Sequence, residues 1–174
     1  MLFLIRFEAG IRTGLYTSPH LVSITERIKI DGEDISEDDF AKLAERVRSS
    51  AERMLAEGKL QYRPTFFEHI TAVGLLAFAE AGVELAILET GLGGRYDAVT
   101  AARAEVAAIT KIALDHQEYL GGTIEDIAAE KAAVIRSDSR VVVLRQGPAA
   151  EEVINGRCGK LGIEPVRAGK NYEI

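Results

Sequence analysis

The chain has 174 residues, 47% of them apolar, and a net charge of −6. That length and composition favour a folded chain with a sizeable core, most simply one domain, over disorder. The negative net charge and the absence of any run of five like charges argue against a nucleic-acid surface as its main business, because phosphate binding needs clustered Lys and Arg. A single cysteine, Cys158, rules out an intramolecular disulfide and a Cys-based zinc site. Met1 to Arg6 lacks the pattern of a signal peptide. No apolar run approaches the ~18 residues of a membrane span. Cytoplasmic residence, with no membrane partner, is the expectation.

Residues 1–9 read as the end of a helix closed by Gly10. Thr13 to Thr17 is a short strand, broken by Ser18-Pro19-His20. Arg27 to Ile30 alternates charged and apolar, and Asp31-Gly32 is a turn signal. Ser36 opens a helix with Glu37, Asp38 and Asp39 in its first turn, where acids suit the dipole. Phe40, Leu43, Ala44, Val47, Ala51, Met54 and Leu55 keep helical spacing until Gly58. Thr65 to Ala81 predicts a second helix, apolar nearly all round and so buried on most sides. Val83 to Leu88 reads as a buried strand, and Glu105 to Ile112 as the next. Then follow a helix from Thr123 to Ile135, a strand at Arg140 to Leu144, a helix over 149–161 and a strand over 164–167. Strand and helix alternate from residue 65 onward, which predicts an α/β fold with a mostly parallel sheet and helices on both faces.

Chemistry concentrates at Leu88-Glu89-Thr90-Gly91-Leu92-Gly93-Gly94-Arg95-Tyr96-Asp97. A strand that delivers an acid to a glycine-rich turn is how open α/β sheets build sites beyond their carboxyl ends. Glu89 is a Mg²⁺ ligand, a surface carboxylate at a strand end, or a partner for Arg95. Asp115-His116 follows the strand 105–112 and is expected on the same sheet edge. Lys131 falls on or beside the buried stripe Ile124, Ile127, Ala128, Val134 and Ile135. There it either snorkels to water or is directed into a cleft. Thr65-Phe66-Phe67-Glu68 reads as a capping box, which leaves room for a second role. His69 reads as a core histidine, and His20 is undecided. No G-x-x-x-x-G-K-[ST] or G-x-G-x-x-G sequence occurs in the 174 residues.

Six segments in register resemble one family. They are Gly14-Leu15-Tyr16-Thr17-Ser18-Pro19-His20-Leu21, Glu26-Arg27-Ile28, Thr65-Phe66-Phe67-Glu68, Leu88-Glu89 through Asp97-Ala98, Leu114-Asp115-His116, and Glu130-Lys131-Ala132. Together, from about Gly10 to Val166, they resemble the folylpolyglutamate synthase and dihydrofolate synthase branch of the Mur ligase superfamily. Thr-Phe-Phe-Glu and Ser-Pro-His-Leu favour this folate branch over the cell-wall ligases. The resemblance implies an ATP-dependent amide ligase. Such an enzyme phosphorylates a carboxylate of a folate or dihydropteroate and joins L-glutamate to the acyl phosphate, with Mg²⁺ neutralising phosphoryl charge.

By the same resemblance, Ser18 and Glu89 match Mg²⁺ ligands and His116 a ligand of a second metal. Lys131 matches a lysine carbamylated in the family, and Glu89, His116 and Lys131 are the expected catalytic set. Thr65, Phe66, Phe67 and Glu68, with Tyr96, Asp97 and Ala98, match the pterin-side pocket. Val99-Thr100-Ala101-Ala102-Arg103 departs from the family's Thr-Asn after the Asp-Ala pair. Against the family, residues 1–174 read as one incomplete central domain without the first strand, its phosphate loop and the C-terminal domain. The isolated chain is therefore expected to be inactive, and a missing strand to leave an edge prone to self-association or to a complementing fragment. The alternative is a non-catalytic truncated or split-gene fragment that binds folate or a partner.

Overall fold

The computed structural model describes residues 10–168. The helix end expected over residues 1–9 lies outside them; Gly10, its expected cap, has φ 72°. The described residues fall into two compact units, one ending at Gly91 and one beginning at Leu92.

The first unit runs β1 (Thr13–Tyr16), a 3-10 helix (Ile24–Arg27), β2 (Ile28–Ile30), β3 (Glu33–Asp34), α1 (Glu37–Ala56), α2 (Phe66–Ala81) and β4 (Leu85–Leu88). Its sheet has the order β3-β2-β1-β4. β1 and β4 are parallel, from Thr13 opposite Leu85 to Tyr16 opposite Leu88. The β1–β2 and β2–β3 pairs are antiparallel. Asp31 and Gly32 join β2 to β3 with both φ angles positive, at 50° and 95°. That is the two-residue turn whose twist suits a hairpin.

The core of this unit contains Tyr16, Ile28, Leu43, Ile70, Val73, Ala77 and Phe78. Tyr16 is 1% exposed and its hydroxyl is 3.1 Å from the Thr71 Oγ1, so its polar end is satisfied inside the core. α1 is capped by the Ser36 hydroxyl, which accepts from the Asp39 amide, and buries little besides Leu43. α2 ends at Gly82, whose φ of 66° closes the last turn while Val83 N–H donates to the Phe78 carbonyl. β4 is half-buried rather than buried, and Ala86 is exposed. Among the described residues it is one of the two edge strands of its sheet, with β1 as its neighbour.

The second unit runs a 3-10 helix (Ala98–Ala102), β5 (Val106–Ile109), α3 (Gln117–Leu120), α4 (Ile124–Ala132), β6 (Arg140–Val143), α5 (Pro148–Leu161) and β7 (Val166–Arg167). Its sheet, β5-β6-β7, is parallel throughout. Ile109, Ile127, Ala128, Ala132, Ile135, Val141, Val143, Ala150, Ile154 and Cys158 join in one buried cluster. α4 stops at Ala132, three residues short of the expected Ile135. Beyond it, the amides of Val134 and Ile135 bond three residues back, to Lys131 and Ala132, so the last turn tightens. Ile135 is still fully buried, and its apolar spacing extended the helical pattern in the sequence.

The mainly parallel α/β class is as the sequence implies, but among the described residues the strands form two sheets rather than one. β4 and β5 each have one strand neighbour among the described residues, so each is an edge.

Gly14 on β1 tests the packing of the first core. A Cβ there would stand 2.7 Å from the Phe78 ring, which is 4% exposed and cannot retreat. Gly14→Ala should lower stability by about 1–3 kcal/mol. The urea midpoint measures this, and an unchanged midpoint would contradict the packing described.

Candidate functional site

In the first unit the site grows from the parallel pair β1–β4. Both strands run in one direction, so the residues just after Tyr16 and Leu88 emerge at one end of the pair. Ser18 and Glu89 do so, at the carboxyl ends where α/β folds place ligands. The Ser18 amide donates to Glu89 Oε2 at 2.9 Å, and the Glu89 amide donates to the Tyr16 carbonyl at 2.9 Å. Arg95, the other partner weighed for Glu89, pairs instead with Glu130, Nε to Oε1 at 2.8 Å.

Among the described residues no hydrogen bond is seen to the Ser18 hydroxyl or to Glu89 Oε1, so both hard oxygen donors are open there. The donor set fits Mg²⁺, which takes one or two carboxylates and completes its shell with water and phosphate oxygens. It does not amount to a protein cage. No group of three or more His, Cys, Asp or Glu among the described residues could hold an ion.

The loop that carries Ser18 is tied down. The Ser18–Pro19 peptide is cis. Glu26 accepts from the amides of Leu21 (2.8 Å), Val22 (2.9 Å) and Ser23 (2.6 Å). Arg27, 7% exposed, donates from Nε to His20 Nδ1 at 2.8 Å and stands over the Phe66 ring, 5.7 Å from its centroid. His20 thus has a role that its neighbours in sequence left open. The sequence does carry a signal for Glu26: Ser23-x-x-Glu26 is a capping box for the 3-10 helix.

Thr65-Phe66-Phe67-Glu68 forms the capping box the sequence predicts. Glu68 Oε2 accepts from the Thr65 amide at 2.7 Å and from its hydroxyl at 2.8 Å. The Thr65 amide, then its hydroxyl, hold the Glu68 carboxyl below its ordinary pKa. Phe67 packs on Tyr16, with ring centroids 6.2 Å apart, and its ring lies against Gly91. Phe66 is the member of this motif that offers surface, at 60% exposure. His69 is half-buried in α2.

In the second unit the glycine-rich turn folds onto α4. A Cβ at Gly94 would stand 2.8 Å from the Glu130 carbonyl and 3.1 Å from that of Lys131. Only a glycine lets the two backbones approach this closely. Asp97 holds the turn: Oδ2 accepts from the Leu92 amide and Oδ1 from the Val99 amide, both at 2.9 Å. Ala98 begins the 3-10 helix that Asp97 caps, and Thr100 donates to the Gly94 carbonyl at 2.7 Å. Tyr96 is left 92% exposed.

His116 is exposed, with φ 51°, and its amide donates to Asp115 Oδ1 at 2.8 Å. Its Nε2 is 3.5 Å from Asp115 Oδ2. Lys131 lies half-buried in the last turn of α4, where a cation suits the helix dipole, and no ion pair is seen for it among the described residues.

Two outcomes follow from this geometry. The three amides, that of Leu21 first, lower the Glu26 carboxyl from 4.5 to about 2. A carboxylate with a depressed pKa contributes fully above its unfolded value and loses its contribution as pH falls through the folded one. Order in the 18–23 loop, followed by NMR, should therefore persist below 4.5 and fade only as pH approaches about 2. A Glu26 carboxyl titrating near its ordinary value would contradict the bonding. Gly94→Ala should displace the turn from α4 and cost about 1–3 kcal/mol. A crystal structure of that variant with the turn unmoved would refute this.

The chain is similar to known proteins. Residues 40–169 match the Mur ligase middle domain. The dihydrofolate synthase/folylpolyglutamate synthase of Escherichia coli (strain K12) is 40% identical over 139 residues, covering 80% of this chain and 31% of that protein. Mycobacterium tuberculosis folylpolyglutamate synthase, solved with ADP and AMPPCP, superposes with a TM-score of 0.86 at 36% identity, covering 95% of this chain and 38% of that one. A bifunctional folylpolyglutamate synthase/dihydrofolate synthase solved with Mn, AMPPNP and L-glutamate gives 0.82 at 37% identity, covering 95% and 38%. The chain thus spans well under half the length of these relatives. The chain belongs to the Mur ligase middle-domain family and is homologous to the folylpolyglutamate and dihydrofolate synthases.

Proposed function

We propose that this chain is the middle-domain portion of an ATP-dependent ligase that adds L-glutamate to a folate or dihydropteroate through an acyl phosphate. The observation that carries the reading is the Ser18–Glu89 pair, two open oxygen donors at the carboxyl ends of adjacent parallel strands. The family match supports it, because it spans residues of both units and so favours one domain over two. The relatives' names and the bound Mn, AMPPNP and L-glutamate of one of them support the metal, nucleotide and amino-acid assignments.

Ser18 and Glu89 would hold Mg²⁺, which when bound supplies charge neutralisation for the ATP phosphates. Glu89 would bring the negative charge and Ser18 a neutral oxygen, leaving other positions of the shell to water and phosphate. His116 is assigned to a second metal. Lys131 is assigned the carbamylated role: its open, half-buried amine would become an anion. Thr65, Phe66, Phe67 and Glu68 in the first unit, and Tyr96, Asp97 and Ala98 in the second, are assigned to the pterin side by their resemblance to the family; Phe66 and Tyr96 are the exposed members of the two segments.

A second reading is binding of a folate or a protein partner without turnover. Self-association or a complementing fragment at the β4 and β5 edges belongs to this reading.

Transfer of labelled L-glutamate to dihydropteroate or to a reduced folate, with release of ADP, separates the two. A protein carrying this chain should make the glutamylated product, and Glu89→Gln should slow it by about 10²-fold or more, as loss of a preorganised electrostatic group does. Folate binding without any glutamylated product, in the presence of Mg²⁺ and ATP, would overturn the ligase reading in favour of the second.

A further inference from the structure

We propose that Glu26 is a positioning residue for Ser18: by binding three successive backbone amides its carboxylate fixes the loop from Ser18 to Ser23. The consequence for metal binding rests on the reading of Ser18 and Glu89 given above.

A capping box needs one return bond, from the N3 carboxylate to the N-cap amide. Here that bond is Ser23 N–H to Glu26 Oε1 at 2.6 Å. The other two bonds, from Leu21 and Val22, do nothing for the 3-10 helix and reach back into the loop before it. Three N–H dipoles converging on one carboxylate give charge-assisted bonds, stronger than neutral ones.

Packing does not hold this loop in their place. Leu21 and Val22 are 92% and 91% exposed, an unfavourable setting for two apolar side chains. The carboxylate supplies the order that burial supplies elsewhere. The loop is also fixed before this point, where Ser18 N–H donates to Glu89 and Thr17 N–H to the Arg27 carbonyl, and midway through Arg27 and His20. Removing Glu26 therefore frees the stretch from Leu21 to Ser23 and leaves the Arg27–His20 bond as the one tie on that side of Ser18. Both Glu26 oxygens are occupied by amides, so Glu26 acts through the loop and not as a ligand.

Residue-resolved amide exchange in the wild-type chain, Glu26→Gln and Glu26→Ala tests this. In Glu26→Ala, exchange at Leu21, Val22 and Ser23 should rise about tenfold or more, the scale of a lost bond to a charged group, and exchange at Ser18 should rise with it. Glu26→Gln, which keeps one acceptor oxygen, should fall between, and α1 should not change. Unchanged exchange at Ser18 would overturn the proposal. So would a rise shared equally by α1, which would make Glu26 a support of the whole unit. Mn²⁺ titration of the same proteins keeps the two readings apart. If the wild type binds Mn²⁺, Glu26→Ala should bind it more weakly, and equal affinity with a loosened Ser18 would overturn the positioning role. If the wild type binds none, the metal reading of Ser18 and Glu89 fails, and exchange at Ser18 alone decides for or against Glu26.

Discussion

The hydrogen bond from the Ser18 amide to the Glu89 carboxylate joins points 71 residues apart in the chain. It exists because β1 and β4 pair in parallel, so that both strands end on the same side. Everything under that pair serves its register. Tyr16 fills the core beneath β1 and reaches the Thr71 hydroxyl, Gly14 and Gly74 leave room for the Phe78 and Tyr16 rings, and Phe67 seats Gly91. A carboxylate that accepts a backbone amide with one oxygen is oriented before any ligand arrives. The other oxygen is then presented without a rotamer search, which lowers the entropic cost of binding.

Much of the polar content of the family-like motifs is spent on holding loops. Glu68 binds Thr65, Asp97 binds the amides of Leu92 and Val99, and Glu26 binds three amides. Among the described residues, the first unit leaves open the Ser18 hydroxyl, one oxygen of Glu89 and the exposed ring of Phe66, and the second unit the Lys131 amine and the exposed ring of Tyr96. Within each unit the loop-holding groups are separate from the open ones, and preorganisation requires the holding groups to be locked.

Most of the fold was legible because its elements carry strong local signals. Ser36 with its three acids, Thr65 with Glu68, and Thr123 ahead of an apolar stripe each marked a helix start that the structure places at the next residue. Asp31-Gly32 marked the hairpin. Smaller pieces gave no periodicity: β3 is two charged residues, and α3 is one turn. The division into two sheets was not legible either, because strand pairing is set by long-range contacts that no local pattern reports. At the site, Glu89 and its glycines stood out by composition. The ties among Glu26, Arg27 and His20 did not, since they depend on a loop doubling back on itself; only Ser23-x-x-Glu26 hinted at them. Lys131 falls beside the stripe as its spacing predicts, and it is half-buried with no ion pair seen among the described residues, which fits either a snorkelling or a cleft-directed lysine.

The central claim is that Ser18 and Glu89 present one oxygen-rich metal site. Mn²⁺ affinity, measured by paramagnetic resonance on the wild type, Ser18→Ala, Glu89→Gln and the double variant, tests it most directly. Ser18→Ala removes the hydroxyl but keeps the amide that orients Glu89. Each single change should weaken Mn²⁺ binding by about tenfold or more, and the double variant should lose less than the two losses added together, as coupled neighbours do. Equal affinity in all four proteins would contradict the account.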